Sequence, residues 1–121
     1  MRTIPSSELI INADGSIFHL HLKPEQLANI VILVGDPGRV AMIADYFDDK
    51  ECEVANREFL TVTGTYKGKR MTVMSTGIGI GNIDISVTEL DALANIDFAT
   101  RTIKRDFRRL TLVRLGTSGA L

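Results

Sequence analysis

The stretch that decides the fold reads Ile30-Val31-Ile32-Leu33-Val34-Gly35-Asp36-Pro37-Gly38-Arg39. Its first half is a continuous apolar run, which is typical of a strand covered on both faces of a sheet. The run ends in glycine and proline, and apolar residues between Val40 and Phe47 then recur at the spacing of an amphipathic helix. A buried strand, a glycine turn and a helix in succession predict an α/β fold.

The flanking sequence predicts more strands and a second helix. Segments rich in valine, threonine and aromatic residues favour strands, and Lys67-Gly68 is a predicted hairpin turn between two of them. Apolar residues from Ile83 to Ala94 follow at helical spacing, and a further buried strand is expected from Leu110. Pro24 favours a short helix before the first strand. The predicted strands are residues 53–56, 59–66 and 69–74, and residues 1–17 are a predicted polar arm.

Composition narrows the class of protein. The chain has 121 residues, 45% of them hydrophobic and 24% charged, which suits one globular domain. A net charge of −1 gives no overall field that would attract nucleic acid or an anionic membrane, so neither is an expected partner. Cys52 is the single cysteine and cannot form an internal disulfide. We therefore expect a cytoplasmic protein.

Two segments are candidate anion sites. In Gly35-Asp36-Pro37-Gly38-Arg39, backbone N–H groups at a helix start and a nearby guanidinium would suit phosphate, although an ordinary turn with a surface arginine is the alternative. In Arg114-Leu115-Gly116-Thr117-Ser118-Gly119, an arginine and two hydroxyl groups follow a strand, where open α/β sheets bind ligands. An arginine paired with a core carboxylate is the alternative there.

Three other features favour structural interpretations. The glycine loop Gly77 to Asn82 has asparagine where a dinucleotide fingerprint requires glycine, so it predicts close strand-to-helix packing. His19 and His21 would share one side of an extended segment, but with no third ligand a single functional His19 is favoured over a zinc site. The basic run from Arg101 to Arg109 has one aromatic residue and is interpreted as a solvated helix face rather than a nucleic-acid surface.

Five motifs, in this order, make the chain resemble the nucleoside phosphorylases of the uridine phosphorylase type. The resemblance covers nearly all of residues 18–121, which it identifies as the amino-terminal half of that domain. It implies the amino-terminal part of the nucleoside phosphorylase fold, a mixed central sheet flanked by helices that is incomplete without the carboxy-terminal half. The motifs are Phe18-His19-Leu20, Val34-Gly35-Asp36-Pro37-Gly38-Arg39-Val40, Asn56-Arg57-Glu58-Phe59, Ser75-Thr76-Gly77-Ile78-Gly79 and Arg114-Leu115-Gly116-Thr117-Ser118-Gly119-Ala120.

The resemblance implies phosphorolysis, in which uridine and phosphate give uracil and ribose 1-phosphate. A purine or other nucleoside phosphorylase, or a non-catalytic fragment that binds phosphate or assembles with a partner, are the alternatives. Inorganic phosphate is a co-substrate, and no cofactor is expected apart from a potassium ion. The preference for uridine depends on Arg57-Glu58-Phe59 and Thr117. The family also implies a homo-oligomer, built from dimers and hexameric in the family, or association with a carboxy-terminal fragment.

The resemblance also assigns residues to roles. His19 and Arg57 would reach the neighbouring subunit's site, while Arg114 and Thr117 would be catalytic. Residues 94–110 form a longer link than in the common uridine phosphorylases, and the ribose-binding Glu-Met-Glu motif is absent, so we expect a fragment. Phosphate would be held by Gly35, Arg39, Arg57, Arg114 and Thr117, the nucleoside by His19, Thr117, Ser118 and Gly119, and a monovalent cation by Glu58, Ile78 and Asn82.

Overall fold

The computed structural model describes residues 3–7, 9–77, 80–106 and 108–116. They form a mixed α/β fold with two α-helices, neither of which is long and apolar enough to cross a membrane. The helices are α1 (Pro37–Ala44) and α2 (Ile80–Asn95), and Pro24–Gln26 is a 3-10 turn. The strands are β1 (Ile30–Val34), β2 (Asp49–Asn56), β3 (Phe59–Tyr66), β4 (Lys69–Ser75), β5 (Ile96–Asp97), β6 (Thr102–Ile103) and β7 (Thr111–Arg114).

The central sheet has five strands in the order β2-β3-β4-β1-β7. β1 is parallel to both β4 and β7, whereas β2, β3 and β4 form an antiparallel meander. β5 and β6 pair in a separate two-stranded ribbon. The predicted mixed central sheet flanked by helices is therefore confirmed.

Local sequence accounts for several element boundaries. β1 occupies the predicted residues, and Lys67 and Gly68 both have positive φ, 49° and 81°, as a two-residue type I′ hairpin turn requires. Asp36 caps α1 by accepting a hydrogen bond of 2.9 Å from the Gly38 N–H group, and Pro37 opens the helix. β2 starts at Asp49, before the predicted residue 53, because it is an edge strand whose charged residues remain exposed and give little apolar signal.

Two apolar layers enclose the sheet. Val34 and Val40 belong to the layer under α1, while Val31 and Leu33 belong to the layer between the sheet and α2. Successive β1 side chains thus pack on opposite faces, which explains the continuous apolar run. The amino-terminal residues cover part of the α2 side, where Leu9, Ile17, Leu20 and Leu22 are buried. Residues within 1–17 therefore contribute to the core, and the domain boundary at residue 17 stays a prediction.

The prediction of a buried strand from Leu110 is wrong in its burial. β7 forms, but all four of its residues are exposed, with Leu112 at 39% and Val113 at 42%. β7 is the last strand in the sheet order, and among the described residues it pairs with β1 alone. Among the described residues both faces of β7 are left uncovered as well as its outer edge, so its apolar sequence does not lead to burial here.

The interpretation of residues 101–109 as a helix face is also wrong. The described part of this run contains β6 and irregular chain, and two of its arginines bind backbone carbonyl groups. Arg101 donates to the carbonyls of Ile4 and Leu9, and Arg108 donates to that of Leu27. Burial lowers the pKa of Arg108, and the nearby positive charge of Arg70 lowers it further. These guanidinium groups fasten chain segments together, a role that spacing alone does not reveal.

Replacing Gly64 by alanine should destabilise the fold. A Cβ at this β3 position would lie 2.4 Å from the Asp49 carbonyl oxygen and 2.6 Å from Cδ2 of Phe47. Relieving such overpacking costs about 1–3 kcal/mol, so the urea midpoint of Gly64→Ala should fall. Gly38→Ala is the matched control, since its nearest neighbour would be the Asp36 side chain at 3.5 Å. Equal midpoints for the two variants would contradict this account of Gly64.

Candidate functional site

One end of the sheet gathers the segments singled out in the sequence. β1, β4 and β7 are parallel, so their carboxyl ends lie at the same edge. β3 is antiparallel to β4, which brings the turn between β2 and β3 to that edge as well. Gly35, Gly77, Arg57 and Arg114 consequently occupy one end of the sheet. This is where open α/β sheets bind ligands.

The loops after β1 and β4 contact each other through their backbones. The Gly77 N–H donates to the Gly35 carbonyl at 3.0 Å, and the Thr76 N–H donates to the Val34 carbonyl at 2.8 Å. Gly77 has a φ of 75°, and a Cβ there would lie 2.9 Å from Cγ of Glu58. Only glycine suits this conformation and this approach. The glycine loop thus packs tightly, as predicted for its described part.

The start of α1 offers a guanidinium rather than free backbone donors. The Gly38 N–H is taken by the Asp36 carboxylate, the Arg39 N–H donates to the Asp36 carbonyl at 3.0 Å, and Pro37 has no N–H. The N–H groups of Gly38 and Arg39 are therefore already hydrogen-bonded within the turn, and phosphate binding by Gly35 and Arg39 stays a prediction. Arg39 itself, half-buried in the first turn of α1, keeps a side chain that can bind an anion.

A two-residue turn places Arg57 at the same edge. Arg57 is exposed and has a φ of 54°, and the following residue, Glu58, is tied to the end of β4. The buried Ser75 hydroxyl donates to the Glu58 carbonyl at 2.6 Å and accepts from the Leu60 N–H at 2.9 Å. One hydroxyl thereby satisfies both a carbonyl and an amide group at the turn, which fixes the position of the turn.

Arg114 is the last residue of β7. Its guanidinium carbon lies 4.0 Å from the point a Cβ would occupy on Gly116, so the side chain reaches past the strand end. Within residues 3–7, 9–77, 80–106 and 108–116, the ion pairs involve His19, Lys50 and Arg70, and no carboxylate lies within 4.0 Å of the Arg39, Arg57 or Arg114 guanidinium. In this part of the chain the alternative of a core carboxylate partner for Arg114 finds no support.

Of the other predicted site residues, the structure describes some and not others. Glu58 and Asn82 are in contact, with the Asn82 amide nitrogen donating to Glu58 Oε1 at 2.9 Å. Both lie against Gly77, whose missing side chain leaves room for them. The remaining predicted residues lie outside the described ones: Ile78, Thr117, Ser118 and Gly119.

His19 is held by a residue that the sequence analysis missed. Residues 17–22 form a tight turn, closed by the Ile17 N–H donating to the Leu22 carbonyl at 2.8 Å, so the two histidines do not share one side of an extended segment. Nδ1 of His19 lies 2.7 Å from the Glu89 carboxylate. Glu89 is a charged residue, yet it is only 9% exposed and lies among the buried apolar residues of α2. A carboxylate on the buried side of an amphipathic helix was the available signal.

Known proteins match most of this chain. A sequence profile of the phosphorylase superfamily matches residues 29–121. The chain belongs to this superfamily. A DeoD-type purine nucleoside phosphorylase of Colwellia psychrerythraea is 36% identical over 104 residues, covering 85% of this chain and 39% of the relative. A uridine phosphorylase of Thermococcus kodakarensis is 34% identical over 116 residues, covering 96% of this chain and 37% of the relative.

A solved structure agrees in fold as well as sequence. The Trypanosoma brucei nucleoside phosphorylase, described as showing uridine phosphorylase activity, superposes with a TM-score of 0.84 at 38% identity. The match covers 92% of this chain and 39% of that one. The recognition of the nucleoside phosphorylase family is thus confirmed, and this superfamily member spans about two fifths of the length of the relatives it matches.

Replacing Ser75 by alanine should loosen the turn that carries Arg57. The substitution leaves the part-buried Glu58 carbonyl and Leu60 N–H without their partner, which costs about 1 kcal/mol. Amide hydrogen exchange at residues 57–60 should rise, and the urea midpoint should fall.

Thr61→Val provides the matched control on the neighbouring strand. The Thr61 hydroxyl is buried and has no hydrogen-bond partner among the described residues, so its loss should change stability little. If Ser75→Ala retained both the stability and the slow exchange of the parent chain, the proposed role of the Ser75 hydroxyl would be wrong.

Proposed function

We propose that this chain supplies the phosphate-binding part of a nucleoside phosphorylase, whose reaction transfers a pentose from a nucleoside to inorganic phosphate. One observation carries the proposal. Arg39 and Arg114 come from α1 and β7, yet both lie towards the carboxyl end of β1 and have no carboxylate partner among the described residues. Arg57, in the β2–β3 turn at the same edge of the sheet, is likewise without a carboxylate partner in this part of the chain and would reach the phosphate of a neighbouring subunit. The superfamily membership and the relatives support the same reaction.

Three guanidinium groups suit phosphate because each offers planar, charged donors in a fixed arrangement. Phosphate near neutral pH carries between one and two negative charges, and contacts from several directions would fix its orientation as well as its position. Orienting a nucleophile against its target supplies a large part of the rate enhancement in such reactions. Gly35 would allow the anion to approach the backbone closely.

The proposed reaction exchanges one bond for another at the anomeric carbon. A phosphate oxygen forms a bond to this carbon while the glycosidic C–N bond breaks. The electron pair of the broken bond leaves with the base, whose nitrogen takes up the proton that the phosphate gives up. The products are the free base and a pentose 1-phosphate. Positive charge that develops on the pentose would lie against the bound phosphate, so the attraction is strongest in the transition state. Thr117, Ser118 and Gly119 are proposed to contact the phosphate or the nucleoside.

The substrate we favour is uridine. The Trypanosoma brucei structure and the Thermococcus kodakarensis relative carry uridine phosphorylase in their names. The resemblance carried by Arg57-Glu58-Phe59 favours the same type. Purine nucleosides are the second candidate, because the Colwellia psychrerythraea relative is a purine nucleoside phosphorylase of similar identity. We further propose a cytoplasmic homo-oligomer, in which Arg57 and His19 reach a neighbouring subunit's site.

A monovalent cation is part of the proposal. Glu58 and Asn82 would bind such an ion through a carboxylate oxygen and the amide oxygen, and the two side chains already meet beside Gly77, where the Asn82 amide nitrogen donates to Glu58 Oε1 at 2.9 Å. Ile78 is the third proposed contributor. The cation would offset the charge of Glu58 at this turn. No catalytic step depends on it.

Phosphate should stabilise the chain, and Arg114→Gln should remove most of this effect. Binding to the folded state alone adds about 2.7 kcal/mol at a phosphate concentration one hundred times Kd. Loss of a charged hydrogen bond is worth about 1.5–3 kcal/mol, which weakens affinity about tenfold or more. Thermal melts across phosphate concentrations at constant ionic strength measure both the stabilisation by phosphate and the apparent Kd for phosphate.

Arg105→Gln is the matched control, because Arg105 is exposed and lies outside the proposed site. It removes the same charge and should keep the phosphate response of the parent chain. A parent chain whose melting temperature ignores phosphate, or equal responses in the two variants, would contradict the proposed site.

Uridine should bind the phosphate-saturated chain better than inosine. Saturation-transfer NMR with both nucleosides in one sample compares their affinities directly, and an excess of one should displace the other if they share a site. Stronger transfer to inosine would reassign the substrate to the purine class while leaving phosphorolysis as the proposed reaction.

A further inference from the structure

Glu89 gathers hydrogen bonds from a distant turn. Its Oε1 accepts from the backbone N–H groups of His19 at 3.0 Å and Leu20 at 2.9 Å, and its Oε2 lies 2.7 Å from His19 Nδ1. His19 and Leu20 lie 70 and 69 positions before Glu89 in the chain, and the carboxylate is almost fully buried. A buried carboxylate with three convergent partners holds its neighbours in a fixed geometry.

The same contacts determine which imidazole nitrogen carries the proton. An ionised carboxylate only accepts hydrogen bonds, so the nitrogen facing it must donate. Nδ1 of His19 is that nitrogen, at 2.7 Å. In a neutral imidazole the second nitrogen is then a hydrogen-bond acceptor. Nε2 is left in this role.

Other contacts prevent the residue from turning away. The Asn56 side-chain amide donates to the His19 carbonyl at 2.7 Å, and the Phe18 ring packs edge-on against the imidazole with centroids 4.8 Å apart. The His19 side chain is still 35% exposed. It lines, together with Glu89 and Thr88, a cavity of about 310 Å³. A small polar ligand group can therefore reach a ring whose orientation is already fixed.

We propose that Glu89 is a positioning residue that holds His19 with its proton on Nδ1 and so presents Nε2 as an acceptor for a ligand hydroxyl group. A pentose offers hydroxyl donors of this kind, and this last assignment rests on the proposed function. Glu89 itself touches no ligand and acts through the imidazole. The tautomer, by contrast, follows from contacts within this chain.

Glu89→Gln should move the proton from Nδ1 to Nε2. The carboxamide oxygen can keep the two backbone N–H groups, but the amide nitrogen then faces Nδ1 as a donor and requires an acceptor there. Histidine labelled with nitrogen-15, observed at a pH at which the neutral ring predominates, distinguishes the protonated from the unprotonated nitrogen. The two ring signals of His19 should exchange their chemical shifts between the parent chain and the variant.

Asp84→Asn is the matched control. Asp84 lies on the same helix and lines the same cavity, and its change removes the same charge without touching the described partners of His19. Its ring signals should match those of the parent chain. A parent chain with the proton on Nε2, or a folded Glu89→Gln variant that keeps it on Nδ1, overturns the proposal. The parent spectrum decides the matter if the variant does not fold.

Uridine added to the phosphate-saturated chain tests the acceptor role. The Nε2 signal of His19 should shift in the parent chain, and it should respond less in Glu89→Gln. A chain that phosphate stabilises but whose Nε2 ignores uridine overturns the hydroxyl assignment alone. Absence of any phosphate effect would instead refute the proposed function, and the tautomer measurement would stand apart from it.

Discussion

The pairing of β1 with a parallel strand on each side is the constraint on which the rest of the structure depends. β4 and β7 align with β1 so that all three strands end at one edge, and side chains of β1 pack into both apolar layers. A strand in this position must be apolar along its whole length and must end where the backbone can turn sharply. Gly35 marks that end, and the candidate site begins there.

A series of contacts connects the loop after β1 to the neighbouring loops of the sheet. Gly77 donates to the Gly35 carbonyl, and the missing side chain of Gly77 makes room for Glu58. Ser75 holds the Glu58 carbonyl and so connects the Arg57 turn to the end of β4. A continuous path of short contacts thus joins the loop after β1 to the outer turn of the meander. Displacing one loop would disturb the position of the next.

The sequence indicates some of these features better than others. β1, its glycine turn and the hairpin at Lys67-Gly68 have strong local patterns, because burial and positive φ each restrict the residues allowed. The exposure of β7 and the early start of β2 depend on which strands lie at sheet edges, which is a property of the assembled sheet. Glu89 was missed for a related reason: its partners are 69 and 70 positions away, and local periodicity carries no information about such contacts.

The arginines also show that a local sequence pattern does not predict which charged groups remain able to bind an anion. The basic run of residues 101–109 looks like the best anion site in the sequence, yet Arg101 and Arg108 donate hydrogen bonds to backbone carbonyls. Outside this run, Arg70 forms an ion pair with Glu51. A guanidinium with its donors already satisfied gains little from an added anion. Arg39, Arg57 and Arg114 are isolated in the sequence, and the sheet brings them to one edge. Because the net charge is only −1, attraction for phosphate must arise from this local arrangement rather than from the chain as a whole.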